Sequence, residues 1–285
     1  MAIILDGKGL AKKMLAEIKK EVTQKGLNPG LAVVIVGDNP ASRIYVDSKK
    51  KDCKKCGIRS EEFSLPSSTG ETELLDLISR LNGRADIHGI LVQLPLPKGL
   101  SSDKVIQAIA PHKDVDGFHM HNVWRIFVND YAFLPCTPAG IVELLAQYRI
   151  DPRGKHCVVV GRSTIVGKPM AMMLTNLNAT VTVCHSVTVD LPSFTRQADI
   201  LVSAIGRAMF ITADMVKEGA VVIDVGINRA EDGSIVGDVD FEAVSKIASY
   251  ITPVPGGVGP MTRALLMRNT LEAAKMSEAN ANTFV

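Results

Sequence analysis

Gly154-Lys-His-Cys-Val-Val-Val-Gly161-Arg-Ser-Thr-Ile-Val-Gly167-Lys-Pro169 is an apolar strand that runs into a glycine-bounded turn and opens a new helix. That order presents backbone amides at a turn and a helix N-terminus, where a phosphate is favoured. The spacing departs from Gly-x-Gly-x-x-Gly: it is Gly161, five residues, then Gly167. Its setting says more than its spacing, because apolar residues precede it and Met170-Ala-Met-Met-Leu174 follows.

Beyond this turn the strand Thr180–Cys184 ends in His185-Ser186. A cofactor with a free ribose 2′-hydroxyl commonly meets an acidic residue about there, and none is present. Arg162 and Ser186 suit a 2′-phosphate instead, which favours NADP over NAD. Asp199–Gly206 and Ala220–Gly226 are further buried strands ending in small residues, which let a ligand approach the backbone. Pro253–Thr262 is a proline- and glycine-rich loop before a last helix, Ala264–Lys275, with a frayed tail expected from Ser277 onward.

Toward the N-terminus, strands and helices alternate again. Ile3–Leu5 is a short strand, and Leu10–Gln24 an amphipathic helix ending near Gly26. Leu31–Val36 is a buried strand, Ser42–Cys56 a helix, Arg59–Phe63 an exposed strand, Thr72–Leu81 a helix, and Ile87–Leu94 a strand stopped by Pro95. Such alternation implies a mainly parallel sheet covered on both faces. A break at Pro135–Pro138, before the helix Ala139–Arg149, sets the main domain boundary. The fold class expected is therefore α/β with two domains: residues 1–137 with a parallel sheet, and a Rossmann-like domain over 138–262.

Four polar groups in the first half point to chemistry. Tyr45 and Lys49 are four apart on a helix and share a face. A lysine beside a phenol in a desolvated site falls below its free pKa of about 10.4 and can act as a general base. Gln93 closes an apolar strand, and Asp116 lies in the Asp114–Phe118 loop, both where ligands meet the carboxyl edge of an open α/β sheet. Singly, each suits a solvated face or a turn cap; together they make a site.

Composition bounds the class. The 285 residues are 46% hydrophobic and 22% charged with net charge +2, as in an ordinary globular protein with a full core. That balance argues against nucleic-acid or membrane partners. The N-terminus lacks signal-peptide flanks and no apolar run spans a bilayer, so a cytoplasmic location is expected. Cys53-Lys-Lys-Cys56 has redox or zinc spacing, but no second ligand pair completes a metal site, and reduced structural cysteines are expected.

Six blocks in this order resemble the bifunctional methylenetetrahydrofolate dehydrogenase/cyclohydrolase family: Ser42–Lys49, Gly89–Pro97, Lys113–Phe118, Gly161–Pro169, Asp224–Asn228 and Pro253–Thr262. The resemblance runs from about Leu5 to Lys275. It implies two domains with a cleft between them, the C-terminal helix (about 263–285) completing the first, and a homodimer. It implies NADP-dependent oxidation of 5,10-methylenetetrahydrofolate, then hydrolysis to 10-formyltetrahydrofolate, within one-carbon metabolism and purine biosynthesis. By motif position Lys49 is the central catalytic residue, Tyr45 and Gln93 position and tune it, and Ser42 supports their pocket. Asp116 is implied to hydrogen-bond the pterin, and Pro255, Gly256 and Gly257 to line the folate pocket. Gly161, Arg162, Ser163, Ile165, Gly167, Ser186 and Ile227 match nicotinamide-nucleotide contacts. The chain departs from the family pattern at Met120, Trp124 and Arg263, which puts substrate affinity and the balance of activities in question.

A short-chain dehydrogenase also uses Tyr-x-x-x-Lys, but after its nucleotide-binding glycines, whereas here the motif precedes them. A monofunctional dehydrogenase of the same family and a non-enzymatic NADP-binding regulator are the competing readings.

Overall fold

In a computed structural model of the chain, residues 1–230 and 232–283 are described. The first half comprises β1 (Ile3–Ile4), α1 (Gly7–Lys25), β2 (Gly30–Val36), α2 (Pro40–Cys56), β3 (Arg59–Leu65), α3 (Glu71–Asn82), β4 (Gly89–Val92), α4 (Ser102–Ala108) and α5 (Met120–Phe127). Then follow α6 (Cys136–Gln147), β5 (His156–Val160), α7 (Gly167–Asn176), β6 (Thr180–Cys184), α8 (Leu191–Thr195), β7 (Ile200–Ser203) and β8 (Val221–Asp224). The short pair β9 (Asn228–Arg229) and β10 (Ile235–Val236), α9 (Phe241–Val244), β11 (Tyr250–Ile251) and α10 (Val258–Thr283) complete it.

The chain divides into two compact units. One comprises Lys12–Arg125, Tyr131–Leu134 and Arg263–Val285 and is built on a three-stranded parallel sheet, β3-β2-β4. β2 is central and all seven of its residues are buried, which is why it reads as an unbroken apolar run. Helix α3 packs on this sheet through Leu74, Leu77, Ile78 and Leu81, with Glu71 and Glu73 at its positive end. Its carboxyl end is capped by buried Lys113, whose Nζ donates to the carbonyls of Leu81, Asn82 and Arg84 at 3.2, 2.8 and 2.7 Å. Helix α1 buries Ala11, Met14, Leu15, Ile18 and Val22 at the expected spacing. The edge strand β3 is half-buried, not exposed, and carries Arg59, Glu61 and Glu62 as charges that guard the edge.

The other unit comprises Met1–Ala11, Ile126–Asp130 and Pro135–Thr262. Its six-stranded sheet, ordered β1-β11-β8-β7-β5-β6, is parallel at every pairing. β1 belongs to this sheet, with Ile3 opposite Tyr250, so it leaves the group of residues 1–137 in which its sequence position put it. The chain thus starts in the larger sheet before building the smaller one. The strand order reverses between β5 and β7, the place where doubly wound sheets receive ligands.

Two other expectations change. Helix α10 begins at Val258 inside the expected loop, and it continues through Ser277 to Thr283 where a frayed tail was expected. Residues 284 and 285 of that tail lie outside the described residues. The early start has a reason in burial, since Val258 and Met261 are buried along with Ala264, Leu265, Met267, Leu271 and Ala274, whereas Ser277 to Ala279 continue the helix exposed.

Candidate active site and nucleotide site

In the smaller unit the Lys49 site starts from α2. Asn39 Oδ1 accepts from Ser42 N at 3.3 Å and Pro40 opens the helix, so both N-terminal positions suit their residues. Ser42 is buried, and Tyr45 and Lys49 are half-buried one turn apart. Lys49 Nζ donates to Gln93 Oε1 at 3.0 Å. Gln93 lies just past β4, and its own amide is held by Nε2 donating to the Leu94 carbonyl at 2.6 Å. That anchor fixes which end of the amide faces Lys49.

Asp116 completes this group. Burial pushes its carboxyl up to about 6, the Lys49 charge pulls it down, and Asp114 raises it. Neighbouring Asp114 serves the backbone instead. Its buried carboxylate accepts from Phe118 N at 3.2 Å, and from His119 N and Asn122 Nδ2 at 2.8 Å. It thereby starts α5, a helix that sequence reasoning missed, although an aspartate ahead of a helical turn is a legible signal. Gly117, at φ 73°, makes the turn between the two roles possible.

The three departures from the family pattern separate. Arg263 Nε donates to Asp52 Oδ2 at 2.7 Å, joining α10 to α2. Met120 and Trp124 are exposed on α5. All five cysteines are buried thiols, and burial pushes Cys53, Cys56 and Cys157 up to about 12, suppressing the thiolate.

In the larger unit Gly161 follows β5 with φ 124°, and a Cβ there would overlap the Ala204 carbonyl oxygen beyond β7. A Cβ on Gly167 would overlap the Gly161 carbonyl. Both glycines are therefore required by close backbone approach at the point where the strand order reverses. Ser163 Oγ accepts from Val166 N and Gly167 N at 3.2 and 3.3 Å, so the first amides of α7 are already capped. The side chains of Arg162 and Ser186 are exposed. Ile165 is half-buried in the turn, and Ile227 is exposed between β8 and β9. His185 Nδ1 is buried without a hydrogen-bond partner beside Ser186. A cradle too tight for any Cβ, exposed cationic and hydroxyl groups, and an orphaned buried nitrogen together fit a phosphorylated nucleotide.

Pro255, Gly256 and Gly257 follow β11 in this same unit and precede α10. Lys8 N donates to the Gly256 carbonyl at 2.8 Å, and Gly7 packs so tightly on the Gly257 carbonyl that a Cβ would overlap it. The start of α1 thus fixes the shape of this loop. Sequence reasoning gave no role to Asp224 and Asp238, buried carboxylates at the carboxyl edge of the six-stranded sheet. Among the described residues no helix is long and apolar enough to cross a membrane.

Residues 5–116 match the family description "Tetrahydrofolate dehydrogenase/cyclohydrolase, catalytic domain", and residues 135–278 match "Tetrahydrofolate dehydrogenase/cyclohydrolase, NAD(P)-binding domain". The "Bifunctional protein FolD" of Ruminiclostridium cellulolyticum is 57% identical over 275 residues, covering 95% of this chain and 97% of that protein. The crystal structure of the bifunctional FolD methylenetetrahydrofolate dehydrogenase/cyclohydrolase from Campylobacter jejuni superposes with a TM-score of 0.95 at 52% identity, covering 97% and 99% of the two chains. The Trypanosoma brucei methylenetetrahydrofolate dehydrogenase-cyclohydrolase, solved with NADP cofactor and inhibitor, gives 0.94 at 39% identity over 97% and 98%. With both halves matched in order and relatives this similar along nearly the whole length, the chain belongs to the tetrahydrofolate dehydrogenase/cyclohydrolase family.

Proposed function

We propose that this protein oxidises 5,10-methylenetetrahydrofolate with NADP to 5,10-methenyltetrahydrofolate and hydrolyses that cation to 10-formyltetrahydrofolate. The observation that carries the reading is Lys49, half-buried, with Nζ held on Gln93 at 3.0 Å and its charge felt by Asp116. NADP, when bound, supplies the hydride acceptor, with Gly161, Ser163, Ile165, Gly167 and Ile227 shaping its site and Arg162 and Ser186 meeting the 2′-phosphate. The oxidation breaks a carbon–hydrogen bond by hydride loss and asks no base of the protein. Hydrolysis does ask one: water bonds to the one-carbon unit, a proton leaves, and the bond to N5 breaks while that to N10 stays. Lys49 takes the water proton in this reading. Gln93 aims its amine, Tyr45 and Ser42 shape its surroundings, and Asp116 anchors the pterin. Pro255, Gly256 and Gly257 contribute a rigid edge to the folate pocket.

The domains proposed are a catalytic domain within residues 1–137, apart from the β1 segment that pairs in the six-stranded sheet, completed by the C-terminal helix, and a nucleotide domain of 138–262. A cytoplasmic homodimer is the proposed working form; sedimentation of the purified protein at twice the chain's 30.6 kDa would support it, and a monomer at working concentration would remove it.

The deciding assay supplies 5,10-methylenetetrahydrofolate with NADP or NAD and follows reduced cofactor and methenyl intermediate together. Reduction of NADP with 10-formyltetrahydrofolate as product and no lasting methenyl is the expected result. Methenyl accumulating and decaying at its spontaneous rate would mean a dehydrogenase alone. Absence of reduction in folded protein that binds NADP would mean a regulator.

A further inference from the structure

Asp238 sits in no motif used above, yet it is fully buried at the carboxyl edge of the six-stranded sheet. Its Oδ2 accepts from Ile205 N at 2.8 Å, Gly206 N at 3.1 Å and Ser203 Oγ at 3.3 Å. Its Oδ1 accepts from Arg207 N and Asn228 Nδ2, both at 2.9 Å. Each of these partners is a donor, so the position demands an acceptor on both oxygens. The donors come from two segments, one running from the last residue of β7 into the loop beyond it and one after β8; β7 and β8 are neighbours in the sheet. The first segment continues from Ala204, the residue against which Gly161 is packed, and the second contains Asn228, adjacent to Ile227.

Asp224 closes the other side. Its Oδ1 accepts from Gly226 N and Asp238 N, and its Oδ2 from Val239 N, all at 2.9 Å. A Cβ on Gly226 would overlap the Asp238 carboxylate, and one on Gly237 the Asp224 carboxylate. Burying a carboxylate rather than an apolar side chain does little for stability, since desolvation offsets most of the gain from its hydrogen bonds. What it does achieve is directional: five donors, from the end of β7, the loop after it and the start of β9, are held in one arrangement at the ligand edge of the sheet.

We propose that Asp238 is a positioning residue for the nicotinamide nucleotide, fixing the loops after β7 and β8 before the nucleotide arrives. This rests on the NADP-dependent reading above. The cyclohydrolase step uses no nucleotide, so the two activities of one chain separate this role from a general loss of structure.

The experiment compares wild type, Asp238→Asn and the milder Asn228→Ala. It measures NADP affinity by calorimetric titration, the Michaelis constant for NADP, cofactor-free hydrolysis of 5,10-methenyltetrahydrofolate, and melting temperature. Asn at 238 turns one acceptor into a donor facing backbone N–H groups, so NADP affinity should fall about tenfold or more. Removing the Asn228 tether should weaken NADP about threefold, while hydrolysis stays within about twofold of wild type in both variants. Hydrolysis and NADP affinity falling together in Asp238→Asn, with NADP affinity unchanged in Asn228→Ala, would overturn the proposal and leave Asp238 a purely structural residue. Wild-type protein that fails to bind NADP would sink the functional reading itself, and this proposal with it.

Discussion

Burial and charge oppose each other at Asp116. Its carboxyl stands at about 6 in the fold against 3.8 when free, chiefly from desolvation, with Lys49 opposing. Between those values the native state holds the proton and the unfolded state does not, so stability falls as pH rises through the window. Above it the ionised carboxylate costs on the order of 2 kcal/mol. Asp116→Asn should therefore melt higher than wild type at pH 8 and at the same temperature near pH 4; a difference that does not change with pH would contradict this assignment. In the proposed role of Asp116 as pterin anchor its ionised form is the one that binds, so the Michaelis constant for folate should rise as pH falls through about 6, and lose that dependence in Asp116→Asn. Lys49→Ala should lower cyclohydrolase turnover by about 100-fold or more while NADP affinity stays unchanged. An unaltered hydrolysis rate would remove Lys49 from its role.

Helix α2 is the element on which the proposed chemistry depends, since Ser42, Tyr45 and Lys49 all ride on it. Asp52, one turn beyond Lys49, is buried and held by Arg263 Nε at 2.7 Å and Lys55 Nζ at 2.8 Å. Arg263→Met would leave that carboxylate with Lys55 alone and should cost roughly 1–3 kcal/mol of stability. The exchanged pair Asp52→Arg with Arg263→Asp should recover part of the loss in thermal melts; a neutral Arg263→Met would show that the pair contributes nothing. In the nucleotide unit, Gly161→Ala sets a side chain at φ 124° against the Ala204 carbonyl. The strained backbone should cost about 1–3 kcal/mol and weaken NADP binding by titration.

For the whole molecule, division into two units means that heat need not unfold the chain in one step. A ligand stabilises the unit that binds it, by about 2.7 kcal/mol at a hundred times its dissociation constant. NADP should therefore slow amide hydrogen exchange mainly within residues 135–262, most at the turns after β5, β7 and β8. Equal slowing in β2, β3 and β4 would place the nucleotide elsewhere.

Sequence alone determined the alternation of β2, β4, β5, β7 and β8 with α1, α2, α3, α6 and α7, because each carries its own apolar period or run. It also located Lys49, Gln93 and Asp116, since strand ends and helix faces are local properties, and the hydrogen bond between the first two then followed from the fold. Tertiary structure alone decided that β1 pairs with β11, because a two-residue strand carries no information about a partner so distant in the chain. It decided that Arg263 meets Asp52, 211 residues away, and that Ser163 caps the first amides of α7. It decided above all that Asp224 and Asp238 form one buried network. Nothing local distinguishes Asp238 from a solvated turn residue, and the strand-end place of Asp224 does not name its partner; burial and the convergence of donors from separate segments make the difference.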